Sequence, residues 1–491
     1  MTNGFSQRNG RRDLRIAIVG AGMSGILCAI RLLEDGYRDI VIYEKAAKLG
    51  GTWRENRYPG LSCDIPSHVY SYPFAPNPDW SHKYSPGPEI QAYFEGVARD
   101  FDVVKLMRFS TEVTRAVYDA GTWQLWSNAQ PLGTVDVVLA ATGILHHPHL
   151  PDFEGLESFE GQAFHSARWP ENYSLAGKRV ALVGTGSTAI QIVNAVASEV
   201  EQLHLFQRTA QWIWPEPNSP YSEDDRARFR DDPSTLEHIR RRMSEIIDGR
   251  FSNALVAADS EAMHRIEAEC RSHLERHVTD PELKAKLTPD YRAGCKRLIM
   301  ATGFYENMTR PNVALVTEPI ERIEPRGVRT ENGTLHEAET LVLATGFDAH
   351  QFMRPMQVLG QDGVRLDDVW SDEIFAYRSI SVPGFPNFFM LMGPQSPVGN
   401  FSLIDVADIQ YHYIAQLLAQ LRKGSRAIAP NAEATRRFTD KVIAGMRSTI
   451  WVTGCRSWYL DDRGVPITWP WTVQDFADSM ETVALEDYEL S

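Results

Sequence analysis

Two stretches of this chain repeat one design. Residues 14–25 read LRIAIVGAGMSG and residues 178–189 read KRVALVGTGSTA. Each sets an apolar run before a glycine turn and a helix-period segment after it. The turn carries Gly20, Gly22 and Gly25 in the first, and Gly184, Gly186 and Ala189 in the second. A second apolar strand follows each helix: IVIYE, ending at Glu44, and QLHLFQ, ending at Gln207. Strand, GxGxx(G/A) turn, helix and strand together form a Rossmann-type dinucleotide site, a far stronger signal than three glycines alone. The first glycine permits the tight turn and the second lets a pyrophosphate approach the backbone. The helix then begins with free N–H groups and the positive end of its dipole. Two such units set the fold class as α/β, with two Rossmann-like dinucleotide-binding domains.

One position tells the two sites apart. Glu44 ends the second strand of the first unit, where a carboxylate accepts from ribose hydroxyls and repels a 2′-phosphate. The second unit continues Gln207-Arg208-Thr209. A guanidinium there pairs with a 2′-phosphate through charge-assisted bonds. The expected cofactors are therefore FAD at the first site and NADPH at the second, with hydride passing from NADPH to flavin.

A second repeat organises the rest. VVLAATGILHHPHLP (137–151) and LVLATGFDAH (341–350) are both apolar strands ending in Ala-Thr-Gly, and they bracket the second nucleotide unit. The simplest topology inserts the NADP domain into the FAD domain. This gives a polar, disordered tail over 1–13 and the first part of the FAD domain over 14–150. The NADP domain follows over 151–340, and the second part of the FAD domain, with a C-terminal substrate-pocket segment, over 341–491. Residues 222–290 are charge-rich with helical patterning, expected to form a helical insert on the substrate side. FEGQAFHSARWP (159–170) has neither helical nor strand period and ends at a proline that disfavours helix at Trp169, so it reads as an ordered aromatic connector in the outgoing crossing. Gly424 is the C-cap candidate of a helix in ADIQYHYIAQLLAQLRKG.

Composition narrows the function classes. A net charge of −14 argues against nucleic acid or an anionic membrane surface as partner. No apolar run of about 18 residues predicts a membrane span, and the polar N-terminal residues lack a signal-peptide core. Cys28, Cys63, Cys270, Cys295 and Cys455 are odd in number and hold no CxxC pair. A disulfide framework, a zinc site or a paired redox cysteine beside the flavin is therefore not expected, and a reducing, cytoplasmic setting is. That disfavours a flavin disulfide reductase. Monomer and homodimer both stay open.

FEGQAFHSARWP matches FxGxxxHxxxWP through Phe159, Gly161, His165, Trp169 and Pro170. With that pattern the chain resembles the type I Baeyer–Villiger monooxygenases. GGTWRENRYPGLSCDIPSHVYSYPF (50–74) is similar to that family's flavin-proximal loop, GCKRLIMATGFYENMTRPNV (294–313) to its Lys-Arg segment, and CRSWYLDDRGVPITWPW to the tail of its hydroxyacetophenone-oxidising members. Together the matches cover residues 14 to about 475.

The resemblance implies that NADPH reduces FAD, dioxygen adds at flavin C4a, and the peroxyflavin, held deprotonated, attacks a ketone to give an ester or lactone. A peroxyanion needs a neighbouring positive charge that cannot release a proton to it, which suits arginine. By the match that residue is Arg297, positioned by Asp64. FAD contacts are implied at Gly20, Gly22, Met23, Ser24, Gly25, Glu44, Lys45, Gly51, Thr52, Trp53, Ser62, Cys63, Asp64, Ile65, Tyr70, Val113, Ala141, Thr142, Gly143 and Leu403. NADP contacts are implied at Gly184, Thr185, Gly186, Ser187, Thr188, Ala189, Ile190, Arg208, Thr209 and Lys296. His165 is expected to be a hinge residue bonded to backbone, and Trp458 and Tyr459 to be C-terminal core or pocket wall. The loop departs from the family where Arg54 and Glu55 follow Trp53, and again at QSPVGNFSLI (395–404), both near the expected substrate or flavin edge. Two alternatives remain. One is an N- or S-oxygenating flavin monooxygenase, which uses a hydroperoxyflavin and does not need Arg297. The other is a flavin-binding sensor without turnover, against which Asp64, Lys296 and Arg297 stand.

Overall fold

Two five-stranded parallel sheets organise the chain in the computed structural model, which describes residues 7–8, 11–399 and 401–491. In the first sheet Arg15–Val19 is central, with Asp39–Tyr43 and then Met107–Arg108 on one side and Val137–Ala140 and then Phe388–Met390 on the other. In the second, Arg179–Val183 lies between Gln202–Phe206 and Thr340–Leu343, with Val313–Val316 and Gln162–His165 at the edges. Strands in all-parallel sheets are covered on both faces, so they read as unbroken apolar runs. Ile16, Ile18, Val180 and Leu182 are accordingly sealed from solvent. A smaller sheet of Arg115–Asp119, Thr122–Ser127, Gln130–Val135 and Gln357–Leu359 flanks the first.

Each glycine turn feeds the helix expected of it, Met23–Glu34 and Ser187–Val196. The helix Leu403–Lys423 lies against Met23–Glu34 through the Arg31–Asp408 ion pair (2.9 Å) and the Tyr411 hydroxyl, which donates to Asp35 at 2.7 Å. It ends at Gly424, whose φ of +128° stops the helix.

Several features differ from the sequence reading. The strand Thr340–Leu343 belongs to the second sheet, so the return to the first begins after it and not at 341. The connector is not wholly irregular: Gln162–His165 forms an edge strand on Thr340–Leu343, too short for a period to register. The outgoing and returning crossings are joined to each other. Pro148 bridges antiparallel to Phe347, His149 N–H donates to Gly346 O (2.9 Å), and Asp348 N–H donates to His147 O (2.9 Å). Most of the tail predicted as disordered lies outside the described residues, but Gln7–Arg8 and Arg11–Arg12 pair antiparallel.

The segment 222–290 is helical, over Glu223–Asp231, Pro233–Ile247, Glu261–His277 and Pro281–Leu287. Ser222, Asp232, Ser260 and Asp280 cap these helices with their side chains, which fixes where each begins. They brace the loops: Arg240 donates to the carbonyls of His68, Val69 and Ser71 and pairs with Asp405. No residue of 222–290 lines the main cavity.

Cys295 and Cys455, 160 residues apart, form a disulfide, against the expectation that the cysteines stay unpaired. The spacing rule looks for close pairs, and a bond between distant segments leaves no local signal. Cys28, Cys63 and Cys270 are free and buried. Among the described residues, no helix is long and apolar enough to cross a membrane.

Candidate functional site

A cavity of about 1530 Å³ runs from the first glycine turn to the second. The two ends are built alike. Gly20 has φ +108°, and a Cβ there would meet Ala141 O at 2.5 Å. Gly184 has φ +113°, and a Cβ there would meet Ala344 O at 2.3 Å. This gives the two Ala-Thr-Gly segments a physical role: each carries the backbone on which the first glycine of a nucleotide turn is seated. Both following helices lack a side-chain cap and have no acidic residue in their first turn. Their N-terminal N–H groups are thus left for an anionic ligand, as a dinucleotide pyrophosphate requires.

At the first end, Gly20, Gly22, Met23, Ser24, Glu44, Lys45, Gly51, Thr52, Trp53, Ser62, Cys63, Asp64, Ile65, Tyr70, Val113, Ala141, Thr142, Gly143 and Leu403 all line the cavity. Gly25 does not: a Cβ there would meet Gly20 O at 2.0 Å, so this glycine serves helix–turn packing. Glu44 is buried and accepts from the N–H groups of Ala21 and Ala46, both at 2.9 Å, and from Arg54 Nη1 at 3.1 Å. A carboxylate has about four acceptor positions, so one remains for a ribose hydroxyl. Arg54 also pairs with Glu55, which in turn accepts from Arg168 of the connector at 2.7 Å. Trp53 Nε1–H donates to the Tyr70 hydroxyl at 3.1 Å, with the rings edge-on at 5.7 Å.

At the second end, Gly184, Thr185, Gly186, Ser187, Thr188, Arg208, Thr209 and Lys296 line the cavity. Ala189 and Ile190 do not; both are fully buried in the core beneath the helix. Burial lowers the Lys296 pKa, and the neighbouring Arg208 charge lowers it further. Two cations facing each other across a cavity wall fit an anion between them, and a 2′-phosphate is such a group. The two ends also meet directly: the Tyr58 hydroxyl donates to Gln191 Oε1 at 2.9 Å, and Gln191 Nε2–H donates to Ser62 O at 3.0 Å.

Between the ends sits Arg297. Its Nε–H and Nη2–H donate to the same oxygen of Asp64, at 2.9 and 2.6 Å, and Nη1–H donates to Gly399 O at 3.2 Å. Burial alone would lower its pKa, but Asp64 and Tyr459 outweigh this and the net shift is upward. The guanidinium is therefore a fixed charge that does not release a proton. Cys63, beside Asp64, has its thiol pKa pushed up by burial and is inert.

His165 Nε2–H donates to Gly346 O at 3.0 Å, and its Nδ1 accepts from Ala167 N–H at 3.1 Å. Burial lowers its pKa. It is a neutral, backbone-bonded residue at the returning crossing, as expected. Tyr459 is buried and Trp458 lines the cavity. The sequence reading missed His146 and His147, whose Nε2 atoms bond the carbonyls of Phe352 (2.8 Å) and Arg354 (2.6 Å), and Phe347; all three line the cavity. Their signal was present, since they belong to the two Ala-Thr-Gly crossings.

Two dinucleotide-shaped ends, a flavin-side loop and a non-releasing cation between them define a class: flavoproteins that carry NADPH electrons to dioxygen. Residues 13–224 match the flavin-binding monooxygenase-like family. An uncharacterized monooxygenase of Mycobacterium tuberculosis is 45% identical over 480 residues, covering 97% of this chain and 96% of its own. A Baeyer–Villiger monooxygenase of Streptomyces coelicolor is 39% identical over 484 residues, covering 97% and 92%. The crystal structure of cyclohexanone monooxygenase from Rhodococcus bound to NADP⁺ superposes with a TM-score of 0.87 at 30% identity, covering 97% of this chain and 99% of that one. The chain belongs to the flavin-binding monooxygenase-like family and, within it, to the Baeyer–Villiger monooxygenases; it is an FAD- and NADPH-dependent monooxygenase.

Proposed function

We propose that this enzyme inserts one oxygen atom of O₂ beside the carbonyl of a ketone, giving an ester or lactone, and that Arg297 and Asp64 carry the oxygen-transfer half of the reaction. The observation that carries the reading is the Asp64–Arg297–Gly399 arrangement. It holds one guanidinium, fixed on three N–H groups, at the wall of the cavity between the two nucleotide ends.

FAD, when bound, relays two electrons from NADPH to dioxygen. The chain's residues do the rest. The uncapped helix Met23–Glu34 holds the flavin dinucleotide's pyrophosphate, and Glu44 its ribose. Ser187–Val196 holds the NADP pyrophosphate, with Arg208, Thr209 and Lys296 around the 2′-phosphate. Arg297 stabilises the negative charge that builds on reduced oxygen at the flavin edge. Its high pKa keeps it from protonating that oxygen, which must stay nucleophilic to attack a carbonyl. Asp64 fixes the direction of the guanidinium, so little reorganisation is needed when charge develops. Met392, Val398, Phe401 and Trp458 line the same cavity and offer the apolar surface a ketone needs. On this reading the NADP-binding unit runs from residue 151 through the strand ending at Leu343.

The test is product mass from ¹⁸O₂ on a panel of linear, cyclic and aryl ketones, for the parent and for Arg297→Ala. The parent gives an ester or lactone heavier by one labelled oxygen. Arg297→Ala still accepts electrons from NADPH but loses about 10²–10³ in ester formation. Parent-level ester from Arg297→Ala refutes the role of Arg297. If no ketone gives a labelled ester or lactone while added amine or thioether substrates give labelled oxides, the ketone reading is refuted.

A further inference from the structure

We propose that the Cys295–Cys455 pair is a redox modification site whose disulfide form holds the C-terminal wall of the cavity against Arg297. Breaking it diverts NADPH electrons from oxygen insertion to release of hydrogen peroxide. The inference rests on the reading of Arg297 given above.

Cys295 immediately precedes Lys296 and Arg297, both of which line the cavity. Cys455 immediately precedes Arg456, Ser457 and Trp458, which line the same cavity. Tyr459 follows, with its hydroxyl against Gly399: a Cβ on Gly399 would lie 2.2 Å from it. Gly399 O accepts from Arg297. The covalent bond therefore joins two segments that converge on one guanidinium, two residues upstream of Arg297 on one and four residues upstream of Tyr459 on the other. Beyond Cys455 the C-terminal segment is anchored at Trp458 O, which accepts from His350 Nε2–H (2.7 Å), and at Tyr459 O, which accepts from Ile467 N–H (2.9 Å). On the upstream side the disulfide adds a covalent anchor to the core packing of Ile450 and Trp451. A charge-stabilising group displaced by about 1 Å loses on the order of 10²-fold in rate, so the position of this wall matters to the step Arg297 serves.

The environment also suits reversible chemistry. Cys295 is fully buried, whereas Cys455 lies between exposed Gly454 and Arg456. An exchanging thiolate therefore reaches the Cys455 sulfur first, through a local opening of 452–456. Closure balances with a peroxide: one thiol takes an oxygen from H₂O₂ and releases water, giving a sulfenic acid, and the second thiol displaces that hydroxyl as a second water to form the S–S bond. Opening balances with a dithiol, which ends as its own disulfide and leaves both cysteines as thiols.

The experiment uses FAD-loaded full-length enzyme, with or without dithiothreitol treatment and anaerobic removal of the reagent. Alkylation under denaturing, non-reducing conditions, read by mass, should modify Cys28, Cys63 and Cys270 in untreated protein and all five cysteines after the dithiol. Five modified cysteines in protein already exposed to hydrogen peroxide overturn the proposal. Amide hydrogen exchange over 453–460 should rise about tenfold on reduction; unchanged exchange overturns it. With a converted ketone, product formed per NADPH should fall about tenfold on reduction, with hydrogen peroxide making up the balance. Treatment with hydrogen peroxide should restore coupling, while the rate of flavin reduction by NADPH does not change. Cys295→Ser/Cys455→Ser should show the reduced-state partition with or without dithiol. Wild type and the double variant with identical, dithiol-insensitive coupling overturn the proposal. If untreated enzyme oxygenates no ketone on the panel, the functional reading falls; alkylation and exchange still decide the disulfide.

Discussion

Replacing Asp64 by asparagine separates the positioning of Arg297 from its charge. Asp64 Oδ2 accepts two guanidinium N–H groups, at 2.9 and 2.6 Å, and both side chains are 29% exposed. An amide keeps an oxygen of the same size in the same place but removes its charge. The guanidinium keeps its charge, so its bonds stay charge-assisted, and what the exchange removes is the attraction of the second charge, about 1 kcal/mol for a part-exposed pair. At 1.36 kcal/mol per decade this is about a fivefold effect on the step that needs that orientation. Arg297 stays protonated either way. Stopped-flow absorbance should show flavin reduction by NADPH at the parent rate in Asp64→Asn. Product per NADPH should fall by about that factor, with hydrogen peroxide accounting for the difference. Equal losses in both half-reactions would show that Asp64 supports flavin seating, and parent-level coupling would show that Arg297 needs no partner; either result refutes the reasoning.

Further outcomes follow from the same geometry. Arg208→Ala should raise the KM for NADPH about 10- to 100-fold while leaving that for NADH nearly unchanged, since charge-assisted bonds of about 1.5–3 kcal/mol serve only the 2′-phosphate; equal changes for both coenzymes in steady-state kinetics would refute the assignment. Gly20→Ala places a Cβ 2.5 Å from Ala141 O at a φ of +108°, and should yield protein that purifies with little FAD, read as the 450 nm absorbance per mole of chain. Stability should fall as pH drops through the range between about 6.5 and 4. Burial lowers the pKa values of His68, His146, His204 and His273 to about 4. In that window the unfolded chain binds protons that the folded chain refuses, whereas above it both states are neutral and the contribution is flat. Urea midpoints at pH 7.5 and 5.0 check this, and a higher midpoint at pH 5.0 refutes it.

What the sequence shows and what it hides divide along a physical line. The nucleotide turns are local objects: Gly20 and Gly184 are needed by a conformation a few residues long, so their spacing can be read directly. The helical character of 222–290 is local too, announced by Ser222, Asp232, Ser260 and Asp280. Where those helices pack is not, because Arg240 reaches carbonyls more than 160 residues away. Asp64 and Arg297 are 233 residues apart, and only the resemblance of two separate blocks suggested that they meet. Nothing comparable existed for Cys295 and Cys455, so their bond went unforeseen. Gly25, Ala189 and Ile190, read as ligand contacts, do not line the cavity; the fold packs them in the turn and in the core.

The crossings between the two sheets are stitched to each other by Pro148–Phe347, His149–Gly346 and Asp348–His147. Two separate tethers would each flex on their own, leaving the inserted body able to tilt, slide and turn. Bonded into one strap, they must twist or shear together. The number of independent ways the NADPH end can shift against the flavin end is reduced. His165, bonded to Gly346 O, clamps the strap at its NADP-side root. A side chain in the fingerprint thus ties the edge strand of the second sheet to the returning crossing.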